Sequence, residues 1–352
     1  VSMCMQASGI GNTTVVTKGL DFLRKQQRAD GSWPIDTDLS TWVTTLSIKA
    51  LGQQLPVCFP EDEREKLKLH LKSIQYKAVH PFNLAQPGGW GWTNYPGSVP
   101  DVDDTSGAIL ALLELYQANR HDEDPIINGC RWLIGLQNSD GGFPTFCKGW
   151  GRLPFDSSCA DLTGHAMLAM AKSLAMVGYQ MPTGLKKAIH KSLSDALNYL
   201  SKHQYNGCWF PLWFGNQYSV QQKNPVYGTA RVSVYLLDLL SLGLPDQDLN
   251  RNIEMMLGNA RTYLLAQQNT DGSWGAEAGV RGSTEETALA VAALVHYDMA
   301  ASYKGLEWIE NNYRKNGMHS EPIGLYFALL WYDEKLYPLI YSIEALRRLL
   351  YR

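Results

Sequence analysis

The chain has 352 residues, 45% of them apolar, which is enough for one large core or two ordinary ones. A net charge of -3 gives no basic field for nucleic acid, and no apolar run reaches the roughly 18 to 20 residues that cross a bilayer. Six scattered cysteines without a CxxC pair, and no targeting features, indicate reduced thiols and a cytoplasmic location.

One motif recurs along the chain. In each copy a Gln is followed, five or six residues later, by a Trp or Phe, with Asp-Gly or Asn-Gly between them. Glycine can end a helix in the left-handed conformation, the Gln can bond exposed backbone groups there, and the ring can pack over the turn. A degraded fifth copy lies at 304–317, and the four clear ones pair Gln27 with Trp33, Gln137 with Phe143, Gln204 with Trp209, and Gln268 with Trp274.

The motif separates two kinds of predicted helix. Amphipathic helices are predicted at 20–27, 63–75, 125–136, 185–204, 252–268 and 305–314. More apolar helices rich in small residues follow them at 41–51, 105–116, 162–176, 227–240, 284–295 and 323–349, the last broken near Pro338. Six such pairs predict an all-α fold, an (α/α)6 barrel with the apolar helices as the crowded inner ring.

The second inner helix opens with three carboxylates, Asp101, Asp103 and Asp104. One Asp would be enough to cap the helix and to suit its dipole, and that structural interpretation stays open. Three carboxylates within four residues repel one another, so at least one pKa is expected to rise. The cluster is therefore a candidate acid.

The next two inner helices add polar groups at the same depth. The third opens with Asp161 and His165, and the fourth opens with Tyr227. A single His on an apolar helix is more often a satisfied core group, and a single Tyr would be unremarkable. Together, on neighbouring helices, they indicate a catalytic cluster in which a protonated His165 stabilises the conjugate base of the acid.

Aromatic residues lie near these helix starts or in the segments leading to them. Each of them could be ordinary core, but as a set around an acid they would suit a carbocation, because aromatic ring faces attract positive charge. That attraction is strongest where water is excluded. The candidates for substrate contact are Trp42, Trp90, Trp92, Phe146, Trp213 and Phe327.

These motifs together resemble the squalene–hopene cyclase family and, more distantly, the oxidosqualene cyclases. The run from Asp101 to Thr105 resembles the family's Asp-x-Asp-Asp-Thr, which implies that Asp103 is the proton donor. The segments with His165 and Tyr227 resemble those whose His hydrogen-bonds the acid and whose Tyr assists it. The resemblance implies aromatic contact with a polyene at Trp42, Trp90 and Trp92, with Phe146 standing where Tyr is usual.

The resemblance also implies a domain organisation, a substrate class and the absence of a cofactor. Family cyclases have two barrels, so we expect residues 1–352 to form a single barrel domain, the C-terminal catalytic part of a longer cyclase or one that needs a partner. The substrate is expected to be an apolar isoprenoid such as squalene, with no metal or other cofactor. Glu321 and Leu325 stand where hopene-forming enzymes have Phe, and residues 217–225 are inserted, so the product stays open.

Two alternatives share the barrel. A protein prenyltransferase β-subunit would need a zinc ion bound by Asp, Cys and His, and no Asp-x-Cys pair precedes an inner helix. A non-catalytic barrel, such as a thioester domain or a scaffold, would show Gly-Cys-Gly-Glu-Gln or lack the acid cluster. Neither pattern is present in the sequence.

Overall fold

The computed structural model describes residues 2–29, 31, 33, 38–95, 97–117, 123–146, 153–243, 247–324 and 331–351. These residues contain fourteen α-helices: α1 (Ser2–Ala7), α2 (Thr14–Gln26), α3 (Ser40–Leu51), α4 (Leu55–Cys58), α5 (Glu61–Ser73), α6 (Val102–Glu114), α7 (Glu123–Leu136), α8 (Ala160–Val177), α9 (Thr183–Lys202), α10 (Pro225–Ser241), α11 (Gln247–Ala266), α12 (Thr284–Leu294), α13 (Met299–Asn316) and α14 (Tyr337–Leu350). The chain folds into two compact units, 1–39 and 40–352.

The first unit contains α1, α2 and the first copy of the repeat. The Gln27 amide donates to the carbonyl of Gly31 at 3.0 Å, and the Trp33 indole N–H donates to the carbonyl of Leu23 at 2.7 Å. This copy therefore has the predicted geometry within its own unit. The expectation that 1–352 forms one domain stays a prediction.

The second unit is built around a closed ring of inner helices. Each of α3, α6, α8, α10, α12 and α14 packs against the next, and α14 returns to pack against α3. Helices α5, α7, α9, α11 and α13 pack on the ring as outer partners. Within the described residues, β pairing is limited to four isolated bridges, and no helix has the length and apolarity to cross a membrane. The all-α barrel prediction is confirmed.

The last inner helix begins later than predicted. The sequence predicted a helix over 323–349 broken near Pro338, but α14 begins at Tyr337 with the proline in its first turn. Proline lacks an N–H and fits the first turn of a helix, so Pro338 starts α14. Residues 331–336 before it are not helical, and residues 325–330 of the predicted helix lie outside the described part of the chain. The chain before it is extended at Ile323, whose N–H donates to the Tyr332 carbonyl, and at Gly324, which pairs with Phe214.

The repeat Gln connects two outer helices. The Gln137 amide donates to the carbonyl of Gly141 in its own turn, at 2.7 Å, and to that of Ser192 on the next outer helix, at 3.0 Å. One side chain thus joins its own turn to the body of the next outer helix. The same pair of bonds joins Gln204 to Gly207 and Met256, and Gln268 to Gly272 and Ala301.

The repeat aromatic residue is fixed by a threonine of the inner helix. The Trp274 backbone N–H donates to Thr287 Oγ1 at 3.0 Å, and its indole N–H donates to the Leu264 carbonyl at 2.8 Å. The same threonine hydroxyl sets the register of α6, α8, α10 and α12 against the turn before each helix. We call these residues the repeat threonines: Thr105, Thr163, Thr229 and Thr287.

The structure contains a further copy of the repeat that sequence reasoning missed. Gln75 donates to the carbonyls of Gly88 and Pro125, at 2.8 and 2.9 Å. Trp90, fully buried, donates its backbone N–H to Thr105 and its indole N–H to the Leu71 carbonyl at 2.7 Å. Twelve residues, 76–87, separate this Gln from its Gly-Gly-Trp, nine more than separate Gln137 from Gly141, which hid the spacing.

The turn of this further copy predicts that the protein is destabilised by a side chain at Gly88. Its φ is +118°, and a Cβ there would lie 2.6 Å from the Asn128 carbonyl oxygen. We expect Gly88→Ala to lower the free energy of unfolding by about 2–4 kcal/mol, measured by urea denaturation. The control is Gly258→Ala in α11, where a Cβ meets nothing within 4 Å and helix propensity favours Ala by up to about 1 kcal/mol. Equal unfolding free energies for the two variants would contradict this contact.

Candidate active site

A carboxyl–imidazole pair lies at the start of the inner helices. His165 Nδ1 is 2.6 Å from Asp103 Oδ1, which joins the second turn of α8 to the first turn of α6. The His165 side chain is 1% exposed, while that of Asp103 is 19% exposed. The imidazole is therefore enclosed, and the carboxyl group stays accessible from one side. The structure brings together the two residues that the sequence placed at matching depth.

Asp101 and Asp104 form a second acidic pair beside it. Asp101 is the N-cap of α6, and its Oδ1 accepts the backbone N–H of Asp104 at 2.8 Å. The two carboxyl groups also bond each other, and both are buried. Burial raises the pKa of Asp101 to about 7 and that of Asp104 well above its ordinary range. The cap and the expected rise in pKa are thus both present, and the pair shares a proton near neutral pH.

Asp161 occupies the first turn of α8. Its Oδ1 accepts a hydrogen bond from the Cys159 thiol at 2.6 Å, and the residue is buried. Burial raises the pKa of Asp161 to about 6, and the nearby charge of Asp103 adds to the rise. Asp161 therefore adds an ionisable group within electrostatic reach of the acid.

Tyr227 is buried on α10. Its ring stacks on Phe214 with centroids 4.4 Å apart, and Tyr341 of α14 is close enough to act on its ionisation. Burial raises the pKa of Tyr227 well above its ordinary value, so the phenol stays neutral. The charges of Asp161 and Asp103 also raise this pKa, so Tyr227 lies within electrostatic reach of both carboxyl groups.

The protonation state of His165 differs from the expectation. The sequence suggested a protonated imidazole, but burial lowers the pKa of His165, and the hydrogen bond to Asp103 acts against that shift. Nε2 is buried and has no hydrogen-bond partner among the described residues. An imidazolium would leave this second N–H unsatisfied, which is costly in a buried position. The geometry therefore favours a neutral ring with its proton on Nδ1.

Three of the predicted substrate-contacting residues form one partly exposed aromatic cluster. Phe146 lies between Trp92 and Trp213, with centroid distances of 6.2 and 5.5 Å, and Phe155 packs on it at 5.7 Å. The Trp213 indole N–H donates to Thr145 Oγ1 at 2.7 Å, which fixes its ring. All the contacts between the rings are edge-to-face, so ring faces stay free to meet a ligand.

The other predicted aromatic residues have different surroundings. Trp42 is buried beside the acid: its ring centroid lies 6.5 Å from that of His165, and its indole N–H donates to the Tyr337 hydroxyl at 2.8 Å. Trp90 does not join the cluster, because it is the buried repeat tryptophan held against Leu71. Phe327 lies outside the described residues.

The repeat threonines reveal a further acid at the same level. The residues two positions before them are Asp103, Asp161, Tyr227 and Glu285. Glu285 is fully buried and accepts the Glu321 backbone N–H at 2.9 Å, and burial raises its pKa to about 8. Sequence reasoning missed this residue, although the Thr287 register is visible in the sequence and could have found it.

A carboxyl–imidazole pair and partly exposed aromatic residues on an all-α barrel define the protein as an α/α-barrel with a candidate active site. Comparison with known proteins gives its family. The family model for the squalene-hopene cyclase C-terminal domain matches residues 40–332. The chain therefore belongs to this family. Its site residues from Asp101 to Tyr227 all lie within the matched range.

Individual relatives agree with the family match. Enfumafungin synthase from Hormonema carpetanum is 26% identical over 90% of this chain and 25% of its own length. A squalene–hopene cyclase from Bradyrhizobium diazoefficiens is 25% identical over 67% of this chain and 36% of its own. The chain thus spans only about a quarter to a third of these two relatives. A variant of the type II terpene cyclase MstE from Scytonema has the same fold, with a TM-score of 0.59 and 16% identity over 95% of each chain.

The raised pKa of Asp161 predicts a pH-dependent stability. The folded protein holds this proton up to about pH 6, whereas the unfolded chain releases it near pH 4. The free energy of unfolding therefore falls as the pH rises from about 4 to about 6, and the loss persists above that range. Asn cannot lose the proton, so Asp161→Asn should exceed the wild type at pH 8 by about 1–3 kcal/mol, and the difference should vanish near pH 4.

Urea denaturation at pH 4, 6 and 8 checks this difference. The matched control is Asp124→Asn, which removes an exposed carboxylate from the first turn of the outer helix α7. It should cost at most about 1 kcal/mol through the helix dipole, and only where the carboxylate is ionised. An Asp161→Asn protein that is less stable than the wild type at pH 8 would contradict the assignment of a buried, proton-holding carboxyl group.

Proposed function

We propose that this barrel is the acid-bearing domain of a class II terpene cyclase, in which Asp103 protonates the terminal alkene of a polyprenyl substrate. The observation that carries the proposal is the 2.6 Å bond from His165 to a carboxyl group that is otherwise accessible. The proposal is supported by the family match over 40–332 and by the aromatic cluster of Trp92, Phe146 and Trp213.

The geometry suits a carboxylic acid that must lose its proton to carbon. His165 Nδ1–H donates to Asp103 Oδ1, so the transferable proton stands on Oδ2. The O–H bond breaks as the alkene π electrons take the proton, which leaves a carboxylate and a carbocation. The hydrogen bond strengthens as charge develops on the carboxylate, and this lowers the barrier. The adjoining pair of Asp101 and Asp104 holds a proton, which limits competing negative charge.

Ring closure moves the positive charge away from the acid. Each closure converts a π bond into a σ bond, so the cascade runs downhill once it has begun. The faces of Trp92, Phe146 and Trp213 attract the migrating cation by about 0.5–2 kcal/mol each, depending on how dry the site is. Loss of a proton or capture of water ends the cascade. A proton then returns to Asp103 through water and the neutral phenol of Tyr227.

The substrate class follows from the lining and the relatives. The chain supplies an acid and aromatic faces, which fits an apolar polyprenyl chain, and squalene is the first candidate. The Scytonema cyclase was solved with its substrate geranylgeranyl dihydroxybenzoate, so shorter prenyl chains with polar heads are the second candidate. Because the substrate is apolar, we propose that the enzyme is located in the cytoplasm or is peripheral to the inner face of the membrane. The family match favours a cyclase over the prenyltransferase and scaffold alternatives.

A second barrel is proposed as part of the working enzyme. The relatives are longer than this chain, which aligns with 36% of the Bradyrhizobium diazoefficiens enzyme. The aligned part of the Scytonema cyclase is 95% of that chain, so a barrel of this length acting alone is the alternative. Product formation by residues 1–352 compared with the intact gene product separates the two: a second barrel predicts that only the longer protein cyclises squalene.

Asp103→Asn tests the proposed function in the intact gene product. An amide cannot deliver the proton, so we expect cyclisation of squalene or a geranylgeranyl substrate to fall by at least about 10³-fold. The control is Asp124→Asn, which should keep wild-type turnover. Products are identified by mass spectrometry and the fold is checked by circular dichroism. A folded Asp103→Asn enzyme that retains most of its cyclisation would end the proposal.

A further inference from the structure

A buried cation, the Arg231 guanidinium, lies in the part of the barrel next to His165 and Asp103. Arg231 lies on α10, one helical turn after Tyr227, and is 2% exposed. Its Nη2 donates to the Tyr235 hydroxyl, while Nη1 has no hydrogen-bond partner among the described residues. Within the same part of the chain, no carboxylate lies within ion-pairing distance of it, 4 Å. A buried charge without a counter-ion is costly, so its presence in a core helix calls for a functional reason.

Aromatic stacking connects this cation to the acid. The guanidinium lies over the Tyr235 ring, 4.9 Å from its centroid. Tyr235 stacks on His165 with centroids 4.7 Å apart and planes 11° apart, and His165 bonds Asp103 at 2.6 Å. The four side chains form a continuous column from α10 through α8 to α6. The tyrosine face also attracts the guanidinium, which holds the charge in place.

The other buried charges near this column compensate one another. Lys49 of α3 pairs with Glu344 of α14, and Arg348 pairs with Glu344 and with Asp238. Burial lowers the pKa of Lys49 to about 8, so this lysine is a weaker source of permanent charge. Of these three buried cations in the described part of the chain, Arg231 is the one with no carboxylate within 4 Å, and Glu344 acts on it only from farther away. The titratable groups around the column are Lys49, Asp103, Asp161, Tyr227, Asp238, Tyr341, Glu344 and Arg348.

The His165 imidazole lies between Tyr235 and Asp103, and only one of its two ring nitrogens has a hydrogen-bond acceptor within the described part of the chain. His165 Nδ1 has an acceptor in Asp103, whereas the buried Nε2 has no partner among the described residues. A second N–H would therefore be unsatisfied and would face the positive field of Arg231. Burial, Arg231 and Lys49 all act to lower the pKa of His165. The hydrogen bonding and the charges favour the same neutral tautomer.

We propose that Arg231 is a positioning residue that supplies the fixed positive charge behind Asp103 and, through Tyr235, keeps His165 neutral as an Nδ1–H donor. The proposal rests on the proposed function of Asp103 as the acid. A guanidinium does not titrate between pH 5 and 8, so the carboxylate formed by proton transfer meets the same stabilising charge throughout. The site would not need an imidazolium for this purpose.

The test is the protonation state of His165, read by nitrogen-15 and carbon-13 NMR of the labelled protein without substrate. The His165 signals are assigned by their absence in His165→Gln. In the wild type we expect a neutral ring protonated at Nδ1 at pH 7, with a titration midpoint below the ordinary value for histidine. Arg231→Met removes the charge at similar volume, so the titration midpoint should rise by about one pH unit or more, and Arg231→Lys should restore the wild-type state.

The outcomes separate the proposals. Arg131→Met, which removes an exposed charge from α7, should leave the titration unchanged. A charged His165 in the wild type near pH 7, or a folded Arg231→Met protein with an unchanged midpoint, would overturn the role of Arg231. Should Arg231→Met fail to fold, Arg231→Gln, which removes the charge but keeps an N–H donor for Tyr235, should raise the midpoint in the same way, and an unchanged midpoint there would equally overturn the role. Loss of cyclisation in Asp103→Asn reports on the acid itself, so either proposal can fail without the other.

Discussion

The hydrogen bond between each repeat threonine and the backbone of the preceding aromatic residue is the constraint on which the site depends. It recurs at Thr105, Thr163, Thr229 and Thr287, with nitrogen–oxygen distances of 3.0 Å each time. Because it fixes the register of four inner helices, α6, α8, α10 and α12, against the turn before each, residues at equal offsets from the threonine lie at one level of the barrel. Two residues before it lie the acid Asp103 and its counterparts; two residues after it lie His165 and Arg231.

Chemistry is therefore added to a structural frame that the repeats already provide. The Gln side chains join neighbouring outer helices and the buried tryptophans fill the turns, so the frame does not depend on the acidic residues. Those residues are kept away from water, which disfavours their charged forms. Burial raises the pKa of Asp101, Asp161 and Glu285, and Arg231 is buried with no carboxylate within 4 Å among the described residues. Groups that cost stability and cluster at one level are typical of a functional site.

Much of this could be predicted from the sequence, and the failures have physical causes. The helix periodicity and the Asp-Gly turns predicted the barrel, and the three helix-start motifs led to the Asp103–His165 pair. Trp90 was placed with the substrate because the loop of residues 76–87 hid its repeat. Pro338 was read as a break because a proline in a first turn and one in a helix interior look alike in sequence. The lowered pKa of His165 depends on burial and, to a smaller extent, on Arg231, four residues after Tyr227, and no single motif contains that information.

The central claim is that carbon receives a proton from Asp103, and isotope labelling tests it most directly. In heavy water the carboxyl proton exchanges for deuterium before substrate binds. Proton transfer from Asp103 then predicts a cyclised product with one deuterium on the less substituted carbon of the former terminal double bond, located by NMR and counted by mass spectrometry. A cyclised product with no deuterium at that carbon would contradict the claim.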